Sequence, residues 1–149
     1  MKRTTLIFIT CILMSLPVLA QSGLNINSLF DGRYKRNPYA SEMIVTGTNA
    51  REINLKVYHS IKVTEKAQQN LIESLVVKDG IKAVDKEVEY RGGQLYYGFY
   101  TLPTDKSGNE RYIFFLNQNL AQKSPKNMVT LIYMEGKATT EQIKKLIRK

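Results

Sequence analysis

"RGGQLYYGFYTLP", residues Arg91–Pro103, holds both the turn and the aromatic strand from which the rest of the fold can be read. Arg91-Gly92-Gly93-Gln94 reads as a two-residue hairpin turn, because both glycines accept the positive φ of a type I′ turn without steric cost. The turn predicts strands over 84–91 and 94–102 and sets their register: Tyr90 opposite Leu95, Val88 opposite Tyr97, Lys86 opposite Phe99. In that register Leu95, Tyr97 and Phe99 form the core side. Tyr96 and Tyr100 stand on the other side with Gly98 between them, beside Asp85, Glu87 and Glu89. A glycine flanked by two same-face tyrosines leaves a shallow gap bounded by rings, a shape that accepts a sugar face or a cation. Neighbouring carboxylates accept hydrogen bonds from hydroxyl or ammonium groups. Tyr96, Tyr100, Glu87 and Glu89 are therefore the candidate ligand-binding residues. The competing reading is purely structural: tyrosine is a common strand residue, and cross-strand Tyr–Glu pairs stabilise an exposed sheet face by a few tenths of a kcal/mol.

Working outward, residues 53–63 alternate strictly. Ile53, Leu55, Val57, Ile61 and Val63 share one face with His59, and Asn54, Lys56, Tyr58, Ser60 and Lys62 the other, the pattern of a half-buried strand. A shorter strand at 42–46 precedes it and ends in the turn composition Gly47-Thr48-Asn49. Thr64 reads as the N-cap of a helix carrying Ala67, Leu71, Ile72, Leu75 and Val76 at helical spacing and stopping at Asp79-Gly80. Thr139 and Gln142 match a capping box before a last helix with the stripe Ile143, Leu146 and Ile147 and a basic end. Two further strands, 111–118 ("RYIFFLNQ") and 128–135 ("MVTLIYME"), are apolar at both alternating sets of positions, as central strands are. The order ββα-ββββ-α predicts an α+β domain: an antiparallel sheet of about six strands with two helices packed on one face. Residues 21–40 form an irregular N-terminal segment of the same single domain, 21–149.

Residues 1–20 read as an address. Lys2 and Arg3 precede the apolar run Leu6–Leu16, Pro17 breaks it, and Val18-Leu19-Ala20 offers small residues for cleavage after Ala20. The run is too short for a membrane span, so none is expected after cleavage. The single cysteine, Cys11, falls inside this segment, which leaves no disulfide scaffold, thiolate metal site or cysteine nucleophile downstream. The formal net charge of +9 falls by two with Lys2 and Arg3 but stays strongly positive. In a periplasmic or extracellular setting, that charge points to anionic envelope polymers, glycans or protein partners rather than nucleic acid.

His59 lies on the apolar side of its strand. It reads either as a core histidine satisfied by backbone or tyrosine, or as a proton switch with a reference pKa of about 6.5. Alone it supports neither a multi-histidine metal site nor a catalytic triad. Asp85, Glu87 and Glu89, two apart on one strand face, are common on solvent-facing sheets. No metal, cofactor or catalytic residue is assigned, and the chain reads as non-enzymatic.

The run "MVTLIYMEGKATTEQIKKLI", together with the export segment, the early "LNINSLFDG" and the central helix, resembles small exported proteins of Bacteroides-group bacteria grouped as domain-of-unknown-function family 6108, with a looser similarity to family 4252. The resemblance implies an envelope or extracellular location and assigns no site residue. The expected function is a non-catalytic binding or interaction module of the cell envelope, with homodimerisation through an exposed sheet face as a related option. The alternative is an inhibitor of an envelope-directed enzyme such as lysozyme, or an enzyme of unrecognised type, acting through the loops 103–110 or 121–127.

Overall fold

The structure, a computed structural model, describes residues 23–149; the expected signal segment lies outside the described residues. A 3-10 turn, Asn25–Phe30, is followed by β1 (Ala40–Thr46), α1 (Gly47–Arg51), β2 (Leu55–Val63), α2 (Lys66–Gly80), β3 (Asp85–Arg91), β4 (Gln94–Leu102), β5 (Glu110–Asn117), β6 (Val129–Gly136) and α3 (Thr140–Ile147). All strands pair antiparallel in one sheet of order β1-β2-β6-β5-β4-β3. The α+β class, the strand count and the element order are as read from the sequence. The two strands apolar on both sides, β5 and β6, sit in the middle.

The helices do not share a face. Ile72 and Val76 of α2 pack with Ile26, Leu29, Ile61, Ile113, Phe115, Leu131 and Tyr133 on one side of the sheet. Ile143 of α3 packs with Phe99, Tyr112, Phe114, Ile132 and Met134 on the other. The expectation of two helices on one face is corrected by the composition of β6, where every residue is buried. A strand apolar on both faces needs cover on both, and the chain leaving β6 folds back on the side that α2 leaves open.

Local signals explain most boundaries. The capping box of α3 is present in full: Thr139 Oγ1 accepts from Gln142 N, and Gln142 Oε1 accepts from Thr139 N. Thr64 does not cap α2. Its hydroxyl and its N–H both donate to Tyr39 O, so the helix starts after Glu65. The residues 47–49 expected as a turn open the one-turn helix α1 instead.

The hairpin turn forms as predicted, with Arg91 opposite Gln94 and Tyr90 opposite Leu95. The register then slips by one, because Tyr96 is an extra residue in β4: Glu89 faces Tyr97, Val88 faces Gly98, Glu87 faces Phe99 and Lys86 faces Tyr100. Beyond this bulge every side chain of β4 changes sides relative to the expectation. Leu95, Tyr100 and Leu102 join the α2 side, while Phe99 and Tyr97 join the α3 side.

Candidate functional site

The bulge disperses the expected aromatic platform. Tyr100 is 2% exposed in the α2-side core, and its ring lies over both Gly98 and Gly80. A Cβ at Gly98 would stand 2.6 Å from Tyr100 Cε2. The gap anticipated beside Gly98 is thus filled by Tyr100 itself, and burial pushes its phenol up to about 12. Tyr96 stays near the surface, but the Arg91 guanidinium covers its ring at 3.5 Å from the centroid. Arg91 also pairs with Glu89 at 2.8 Å and donates to Leu120 O at 2.7 Å. Glu87 is paired with Lys144 of α3. Of the four candidate residues, then, Tyr100 is enclosed and the other three are engaged by cations of the same chain.

His59 is enclosed as expected, but its partner is a carboxylate. His59 Nε2 lies 2.5 Å from Glu42 Oε1, and the Phe30 ring packs at 3.9 Å between centroids. Glu42 Oε2 is buried without a hydrogen-bond partner. Burial holds the imidazole below its ordinary pKa; Glu42 opposes that shift, and Lys35 adds to it. An unfolded chain therefore takes up a proton near pH 6.5 that the folded chain resists, so stability falls as the pH drops through about 6.5. Urea midpoints followed from neutral to mildly acidic pH should show this decline, and His59→Gln should flatten it. A midpoint that rises on acidification in the parent alone would mean that Glu42 overrides burial.

A different set of residues converges at the end of the sheet where β2 starts and β6 stops. Gly47 takes a positive φ of 65° to turn the chain from β1 into α1, and Asn54 at φ 57° turns it out again into β2. Asparagine tolerates that left-handed conformation better than most residues. Asn54 O then accepts from both Lys137 N (2.9 Å) and Ala138 N (2.8 Å), joining this corner to the β6–α3 junction. The loop after β4 closes the third side. Asp105 Oδ1 accepts from Ser107 N and Asn109 N, each at 2.8 Å, and Lys137 Nζ donates to Gly108 O at 2.8 Å.

Between these walls lies a cleft of about 420 Å³, lined by Gly47, Arg51, Asn54, Leu55, Lys56, Asn109, Gly136 and Lys137. Three lining side chains are cationic and exposed, and none is a carboxylate. The nearest buried acid is Glu135, 1% exposed, with Tyr133 Oη donating to its Oε2 at 3.0 Å. Burial, and then the Asp105 carboxylate beside it, push the Glu135 carboxyl up towards its neutral form. Burial also raises Asp105, but hydrogen bonds from Glu135, Asn109 and Ser107 outweigh that and hold it well below the usual carboxylate range.

None of Arg51, Lys56 and Lys137 stood out in the sequence. They are single cations at distant positions, and only the Glu135-Gly136-Lys137 turn carried any local signal. Among the described residues, no three His, Cys, Asp or Glu side chains group as metal ligands, and no helix is long and apolar enough to cross a membrane.

A family model matches residues 13–147, nearly the whole chain. The chain belongs to the family of unknown function DUF6108. The DUF6108 match takes in the entire sheet and all of α3, so the fold described above is that of this member as a unit. Neither the curated proteins nor the solved structures compared with this DUF6108 chain match it.

Proposed function

We propose that this protein is a non-catalytic binding module of the cell envelope or extracellular space, and that it holds an anionic group in the cleft between β2, the β6–α3 junction and the loop after β4. One observation carries the reading: Arg51, Lys56 and Lys137 converge on a walled cleft whose lining includes no carboxylate. Fixed backbone corners around exposed cations suit a phosphate or carboxylate presented on a larger polymer, where selectivity comes from shape and affinity from charge. The excess of positive charge and the export segment read from the sequence favour an envelope component as the source of that group.

Lipopolysaccharide, as the phosphate-bearing probe, and a neutral glycan of similar size test this. The parent should bind lipopolysaccharide with an affinity that falls steeply with salt and should leave the neutral glycan unbound. The double variant Arg51→Gln/Lys56→Gln should bind about tenfold more weakly, equivalent to about 1.4 kcal/mol. Equal binding by parent and variant, or binding indifferent to salt, would rule the cleft out.

A further inference from the structure

The two edges of the sheet are guarded very differently. On β3, five of the seven residues are charged (Asp85, Lys86, Glu87, Glu89 and Arg91), and a bulge interrupts its pairing. Natural sheets protect their edges with such devices. On β1, ASEMIVT, the one charged residue is Glu42, and its carboxylate turns inward to His59 with the side chain 3% exposed. There is no lysine, no proline and no bulge: all seven residues pair with β2 in unbroken register. Met43 and Ile44 are about half exposed, and Tyr39 just before the strand is 61% exposed.

The backbone sets which groups face outward. Thr64 N–H donates to Tyr39 O across the ladder, which makes Tyr39 a residue whose polar backbone groups point at β2. Alternation then directs Ser41, Met43 and Val45 inward, and the N–H and C=O groups of Ala40, Glu42, Ile44 and Thr46 outward. Ala40 N–H donates to Asn37 O, off the ladder, as that alternation requires. Among the described residues no loop bonds to the outward groups of Glu42 or Ile44, while Thr46, the N-cap of α1, gives its C=O to that helix.

We infer that β1 is an association surface, and that its occupant is β1 of a second copy of this chain, paired antiparallel about a two-fold axis at Met43. This register sets Ala40 opposite Thr46 and Glu42 opposite Ile44: each Glu42–Ile44 pair exchanges both of its backbone bonds, and at each end Thr46 N–H meets Ala40 C=O. Shifting the axis to Glu42 or Ile44 shortens the overlap. No like charges oppose each other in the Met43 register, because the strand carries no cation and its single acid is turned away. The β3 edge fails the same test, since Asp85, Glu87 and Glu89 share one face and self-pairing would stack them against their own copies. The paired molecule is a continuous sheet running through both copies, with the basic cleft at the β2–β6 end of each. It is independent of the cleft reading.

Light scattering or sedimentation over a wide concentration range tests it. The parent mass should rise to that of a dimer. Met43→Lys, which sets two ammonium groups opposite each other at the axis, should weaken dimerisation at least tenfold while leaving the circular dichroism spectrum unchanged. Val88→Lys, on the other edge, should dimerise like the parent. As a check that needs no destabilising change, Met43→Cys in a Cys11→Ser background should form an interchain disulfide under mild oxidation. Met43 is a non-hydrogen-bonded pair at the axis, with Cα atoms about 4.5 Å apart, within disulfide range. A parent that stays monomeric throughout, or a dimer lost with Val88→Lys and kept with Met43→Lys, would overturn the assignment.

Discussion

Gly136→Ala should lower the stability of the protein by about 3 kcal/mol, read as a fall in the urea midpoint at unchanged slope. A Cβ at this position would stand 2.6 Å from Leu55 Cα, 2.7 Å from Asn54 O and 2.8 Å from Lys56 N. These are backbone atoms, so no side-chain rotation relieves the overlap. The strands must separate instead, and the first bonds to lengthen are those from Lys137 N and Ala138 N to Asn54 O. The substitution thus strikes the join between β2 and the β6–α3 junction, where the cleft is built. A loss below about 1 kcal/mol would mean that this corner yields far more readily than close packing suggests.

The second large effect belongs to Asp79. This residue sits in the last turn of α2, where a carboxylate opposes the helix dipole. Its role lies across the chain. It accepts from Asn25 N at 2.7 Å, from Asn25 Nδ2 at 2.8 Å and from Ile26 N at 2.9 Å, and so caps the start of the N-terminal 3-10 turn. Asp79 is 2% exposed and Ile26 is fully buried, so water does not readily replace the lost acceptor. Asp79→Ala should cost about 3 kcal/mol, since an unsatisfied buried N–H alone costs about 1–3. Asp79→Asn, which keeps one acceptor oxygen, should cost less. Hydrogen exchange gives the sharper check: Ile26 should lose protection in the alanine variant while β5 and β6 keep theirs. Uniform loss across the sheet would show that Asp79 supports the whole domain rather than the N-terminal turn.

The particular residues show where sequence suffices. Strands and helices were legible because their patterns are local: the alternation over residues 53–63, of which Leu55–Val63 forms β2, the unbroken apolarity of β6, the Thr139–Gln142 box. The bulge at Tyr96 was not. It depends on contacts far along the chain: Glu73 of α2 accepts from Leu95 N at 2.8 Å, and the pocket between Gly80 and Gly98 takes the Tyr100 ring. One inserted residue then inverts the sidedness of everything after it, which is why an accurate turn still led to an inaccurate platform. The cleft failed to register for a related reason. Arg51, Lys56 and Lys137 are ordinary surface cations one by one, and only the β2–β6 pairing makes them neighbours.

The strand order also governs how the molecule assembles over time. β1 and β2 form one local unit, and β3 through β6 form another, each joining neighbours in sequence. Among the described residues the β2–β6 pair is the strand pairing that joins them, and β6 comes last of the six strands in chain order. Until it emerges, the first hairpin has no sheet to join and the second unit lacks its central strand. Such long-range closure slows folding and keeps a nascent chain open until all six strands have been made. The chain thus stays open until β6 is available, and this follows from topology alone.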